Sequence, residues 1–136
     1  MRICRAVREW ALAHPAEFGL LYGNPVPGYA APQETVEPAA RVVLLLVDTV
    51  IDGSEHLEPI TEPVPAAVRG DLRRLIDQHS RELPEERLIR VLAGWTQLLG
   101  LIGFEIFGRL DAVIEDRAAY FDHQMAAMAD LAGLPR

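Results

Sequence analysis

Apolar residues recur at steps of three and four along most of the chain, and no stretch shows the strict alternation of a half-buried strand. The pattern predicts an all-α protein. A first helix, from about Arg2 to His14, puts Ile3, Val7, Trp10 and Ala11 on one stripe. Pro15 ends it, because a residue before proline is pushed out of the helical region. The same proline suits the first position of a short second helix holding Phe18, Leu21 and Tyr22, which closes at Gly23 in a left-handed conformation. Residues 24–33 contain three prolines and a glycine and form a loop.

A third helix starts near Pro38 and carries Ala39, Val42, Val43, Leu46, Val47 and Val50, with Leu44, Leu45 and Ile51 on its other side. So wide an apolar face implies burial on more than one side. Gly53 ends it, and an acidic loop follows, holding Asp52, Glu55, Glu58 and Glu62 without an arginine. A fourth helix, Pro65 to Arg81, turns Val68, Leu72, Leu75 and Ile76 inward and Arg69, Arg73 and Asp77 outward, as a surface helix does. The fifth opens at Pro84 with Glu85 and Glu86 favoured by the helix dipole, and its stripe runs Leu88, Val91, Leu92, Trp95, Leu99, Ile102, Ile106. From Leu98 to Phe107 every residue but Glu105 is apolar or glycine, so this half needs cover all round. After Gly108 a short connection through Leu110 and Asp111 leads to a sixth helix ending near Ala132, with Ala118, Phe121, Met125 and Met128 on one stripe.

Length and composition narrow the field. One hundred and thirty-six residues, half of them hydrophobic, make one domain, 1–136, with its own core. Thirteen basic against twenty acidic residues leave a net charge of −7, which opposes binding to nucleic acid or an anionic membrane by this chain itself. A single cysteine, Cys4, forms no internal disulfide, the first ten residues do not make a signal peptide, and no uncharged run reaches about 18 residues. A cytoplasmic location without membrane contact is the expectation.

Catalytic chemistry finds little footing. None of the hydroxyl residues sits in a G-x-S-x-G elbow, and Cys4, with Arg2, Arg5 and Arg8 nearby, has no base tied to it. The four histidines fall at 14, 56, 79 and 123 without metal-ligand spacing, so neither metal nor cofactor is expected. The acidic group at 52–58 is accounted for as a loop rim. Glu105 is expected to pair with an arginine across a helix interface, Arg109 or Arg117, and Arg2, Arg5 and Arg8 to form a solvated stripe. No enzymatic constellation emerges.

Two features point elsewhere. Trp10, His14, Phe18 and Tyr22 recur at steps of four, which suits either the lining of an apolar cavity or an aromatic core with satisfied polar ends. Gly94, Gly100, Gly103 and Gly108 each cost about 1 kcal/mol inside a helix, and close approach of another helix would compensate. Two-fold pairing of the last two helices into a four-helix bundle satisfies both the glycines and the greasy segment.

The strings Trp10–Phe18 and Leu20–Tyr29, with Trp95–Gly100 and Glu105–Gly108 near the end, resemble the regulatory domain of one branch of TetR/AcrR-type transcriptional repressors. The W-H-G label of that branch matches Trp10, His14 and Gly23. The resemblance implies an all-α domain that binds a small apolar or aromatic effector and forms a homodimer through its last two helices. It places Trp10, His14, Phe18, Tyr22, Trp95 and Phe104 at the pocket, and Leu99, Ile102, Gly103, Ile106, Phe121, Met125 and Met128 at the dimer seam. In such regulators a helix-turn-helix of roughly the first fifty residues reads the DNA. Met1 stands where the regulatory domain's second helix would begin, so DNA binding is expected only through an N-terminal domain missing from this chain, the other explanation being a natural domain-only protein. The other reading is a helical protein-interaction module without a small-molecule ligand.

Overall fold

The computed structural model describes residues 1–23, 28, 36–53, 63–79 and 84–134, and all regular structure among them is helical. Six helices follow one another: α1 (Arg2–Ala13), α2 (Pro15–Tyr22), α3 (Val36–Gly53), α4 (Ala66–His79), α5 (Glu85–Ile106) and α6 (Arg117–Leu131).

His14 leaves the helical region at φ −133° and ψ 58°, as its place before proline requires, and Pro15 opens α2. α2 closes at Gly23, but not in the expected left-handed conformation, since Gly23 is extended at φ −83° and ψ −155°. Glycine is required there for a different reason: a Cβ would run into the carbonyl oxygen of Gly19, which the Gly23 N–H approaches at 2.9 Å.

α5 is the hub, packing against α1, α3, α4 and α6. Its C-terminal half carries Leu98, Leu101 and Ile102 into a cluster with Ala11, Phe18, Phe121 and Met125. Its N-terminal half carries Leu88 and Val91 into a second cluster with Val47, Val50, Leu72 and Ala132. By length and composition alone α5 could cross a membrane, a test that the core helix of a soluble protein passes equally. The wide apolar face of α3 is buried mainly on one side, leaving Leu45 half exposed. α4 lies on the surface as expected, with Leu72 its deeply buried anchor.

The start of α6 differs from expectation. Residues 107–113 form a chain of turns, with Gly108 at φ +69° and Ala112 at φ +59°, and the helix begins only at Arg117. Asp116 fixes that start: its Oδ1 accepts the Ala119 N–H at 2.9 Å, satisfying one of the first-turn donors. The acidic loop after Gly53, apart from Asp52, lies outside the described residues.

Candidate functional site

Among the described residues, the aromatic series does not line the cleft found between the helices. Trp10 and His14 stack at the end of α1, ring centroids 5.6 Å apart, and both are exposed. The His14 Nδ1 lies 2.9 Å from the Trp10 carbonyl oxygen, to which it donates when protonated. Phe18 is a core residue, with Tyr22 tilted against it at 5.3 Å. Burial raises the Tyr22 hydroxyl above the usual tyrosine range. Trp95 is half-buried on the flank of α5, and Phe104 is exposed beneath the guanidinium of Arg109 at 5.4 Å. The expected pocket set therefore serves as core and surface. Steps of four place residues on a common side of a helix pair, and here they divide between the core, with Phe18, and the surface, with Trp10 and His14.

The described residues enclose a cleft elsewhere, between α1, α3, α5 and α6. Met1 and Cys4 form one wall, Leu46 and Thr49 another, and Arg90 with Gly94 a third. Met125, Met128 and Ala132 of α6 close it. The cavity measures about 60 Å3, against about 300–1,000 Å3 for sites that take drug-sized ligands. That is room for a few heavy atoms, and an aromatic molecule of the expected kind would enter only if the helices parted.

The lining is largely apolar. Thr49 donates its hydroxyl to the Leu45 carbonyl at 2.8 Å, and the buried Arg90 donates through Nη1 to the Leu131 carbonyl at 3.1 Å. Burial lifts the Cys4 thiol above the ordinary cysteine range. Among the described residues no three His, Cys, Asp or Glu side chains gather as a metal site. A signal for the cleft existed in the sequence: Met125 and Met128 share the inner face of α6 with Ala132.

Two ion pairs fasten α1 beside this cleft. Arg8 reaches Glu105 of α5 with both arms of its guanidinium, at 2.8 and 2.6 Å, and lies 5.3 Å over the Phe121 ring. Arg5 grips Asp122 of α6 at 2.9 and 2.8 Å. The Glu105 partner is thus an arginine across a helix interface, but Arg8 rather than Arg109 or Arg117. The three-arginine stripe is not merely solvated, since Arg8 is largely covered. The Arg5 hydrogen bond holds the Asp122 carboxyl below the usual aspartate range.

The expected seam residues divide. Ile102, Phe121 and Met125 fill the chain's own core, Ile102 with no exposed surface at all, so they cannot face a second copy in this arrangement. Leu99, Gly103, Ile106 and Met128 are half-buried. The exposed residues of α5 beyond its first turns are Ala93, Thr96, Gly100 and Phe104, continuing to Phe107, and none is charged, although exposed Glu86 stands at the start of the helix and the Arg109 guanidinium lies over Phe104. α6 exposes Ala119, His123 and Ala127, and a 3.4 Å hydrogen bond from Gln97 Nε2 to Gln124 Oε1 links the two helices. Of the glycines, Gly94 and Gly103 face Met128, Phe107 and Phe18 at ordinary contact distances, and Gly108 serves a turn. Gly100 faces open space.

Residues 1–128 match the family model described as the tetracyclin repressor-like C-terminal domain. The HTH-type transcriptional regulator Rv1816 of Mycobacterium tuberculosis and its counterpart Mb1846 of Mycobacterium bovis are each 32% identical over 126 residues, covering 90% of this chain and 54% of the relative. The chain thus spans about half the length of these curated relatives. The crystal structure of SCO4313, named for a regulatory role, superposes with a TM-score of 0.70 at 29% identity, covering 93% of this chain and 58% of that one.

Proposed function

Because the chain belongs to the tetracyclin repressor-like C-terminal domain family, we propose that it is the regulatory and dimerisation domain of a transcriptional regulator. A ligand occupies the cleft between α1, α3, α5 and α6, a second copy covers the free face of α5 and α6, and an attached helix-turn-helix outside this chain reads DNA. Regulators of the family are generally dimeric and bind DNA. The observation that supports the dimer is the run of exposed, mostly small or apolar residues Ala93, Thr96, Gly100, Phe104 and Phe107, since exposed apolar surface of this kind suits an interface. Gly100 has no reason within the chain to forgo a side chain, whereas close approach of a partner helix supplies one.

The mechanism is a population shift. A ligand that fits one arrangement of the cleft better than another moves the equilibrium by the difference in its affinities, and by nothing else. α1 lines the cleft with Met1 and Cys4 and is bonded to α5 and α6 through Arg8 and Arg5. Any change in the cleft therefore bears on α1 and on the paired helices together. The reading frame upstream of Met1 tests the proposal: codons for a helix-turn-helix in the same frame are expected, and an in-frame stop with no such segment contradicts it.

A further inference from the structure

Every sulfur-bearing side chain in the sequence, one cysteine and three methionines, stands on the wall of the cleft between α1, α3, α5 and α6. Cys4, Met125 and Met128 all pack with the same core cluster, while Met1 is more exposed. Met125 and Met128 are three residues apart on α6 and so share one face, and with Cys4 of α1 they line the same cleft. The lining residues include no carboxylate and no imidazole, so a hard ion lacks its usual ligands there and a borderline ion finds one thiol in place of the three or four ligands it needs. Thiolate and thioether sulfur select soft ions instead.

Charge and size narrow the choice. A monovalent ion on one thiolate makes a neutral pair, whereas a divalent ion would leave a net positive charge in an apolar site beside Arg90. About 60 Å3 accommodates an ion. We propose that the cleft binds one soft monovalent metal ion of the copper(I) and silver(I) class, held by Cys4 Sγ and the thioether sulfurs of Met125 and Met128. A metal–sulfur bond forms at Cys4 as its thiol proton passes to solvent, the methionines contribute lone pairs, and nothing is oxidised or reduced. The flexible methionine side chains turn toward the ion without moving the helices. This names the ligand class of the cleft on which the regulatory reading rests.

Silver(I), titrated anaerobically into the purified chain and followed by native mass spectrometry and thermal unfolding, provides the test. One silver per chain and a raised Tm are expected. Binding should weaken about tenfold in Met128→Leu, which conserves volume, and about a hundredfold in Cys4→Ala. Zinc(II) should not bind. The methionine variants, shown folded by circular dichroism, decide the matter even where the Cys4 variant fails to fold. Silver bound with unchanged affinity by Met125→Leu/Met128→Leu would show a thiol acting alone and overturn the proposal, as would zinc bound as tightly as silver. No silver uptake together with stabilisation by a small organic compound overturns the ion class and leaves the cleft a ligand site. Stabilisation by neither overturns both.

Discussion

Arg8 and Glu105 meet across the α1–α5 interface in a two-point bond, Nε to Oε2 at 2.8 Å and Nη2 to Oε1 at 2.6 Å, with both side chains largely withdrawn from water. Removing one partner strands the other charge in a dry site. Arg8→Ala is expected to cost about 3 kcal/mol in urea unfolding, and Arg8→Leu/Glu105→Leu clearly less, because the double change strands no charge. A loss for Arg8→Ala below about 0.5 kcal/mol would show instead that the pair behaves as a solvated surface contact.

The Arg5–Asp122 pair sets a pH dependence. Asp122 titrates lower in the folded chain than in the unfolded one, chiefly through its hydrogen bond to Arg5. Its contribution is therefore fully present above the unfolded aspartate value of about 3.9 and fades as pH falls through the lower folded value. Thermal unfolding should show the unsubstituted chain losing stability more steeply than Asp122→Asn as pH falls below the unfolded aspartate value. Identical slopes would mean that the bond does not persist in solution.

Gly23 is held by contact rather than by handedness. Gly23→Ala should destabilise by about 1–3 kcal/mol, because the added methyl group strikes the Gly19 carbonyl and the α2 terminus must shift. Gly94→Ala provides the contrast: its methyl group meets Met128 Cβ at 3.8 Å, and the gain in helix propensity, about 1 kcal/mol, should appear as added stability. Denaturant midpoints compare the two, and loss of stability in both would contradict the geometry at Gly94.

Gly100 separates the monomer's requirements from the dimer's. With nothing within 4 Å of a Cβ there, Gly100→Arg should leave the circular dichroism spectrum unchanged. The same change places a long charged side chain between Thr96 and Phe104 on the exposed side of α5 and should abolish association in sedimentation velocity runs. Association that survives Gly100→Arg would place the interface elsewhere.

Much of this was legible in the sequence. Helical periodicity identified the six helices, and proline and glycine located most of their ends. The start of α6 was less legible, because Ala112 takes a left-handed conformation without a glycine to announce it and the true cap is Asp116. The faces of α5 could not be phased from Leu98 to Phe107, where nearly all side chains are apolar and no polar side marks the solvent. Ile102 is therefore expected at the dimer seam and Phe104 at the pocket, although Ile102 is core and Phe104 is exposed. The aromatic steps of four had the opposite fault: a clear period, but no information on whether the space beside Phe18 is empty.

The central claim is that two copies of this chain cover the α5 and α6 face that a single copy leaves bare. Light scattering coupled to size-exclusion chromatography, at micromolar concentration, tests it most directly. A single species at twice the chain mass of 15.1 kDa is the expected result. A species at 15.1 kDa across that range, with Phe104 and Gly100 left to water, would contradict it.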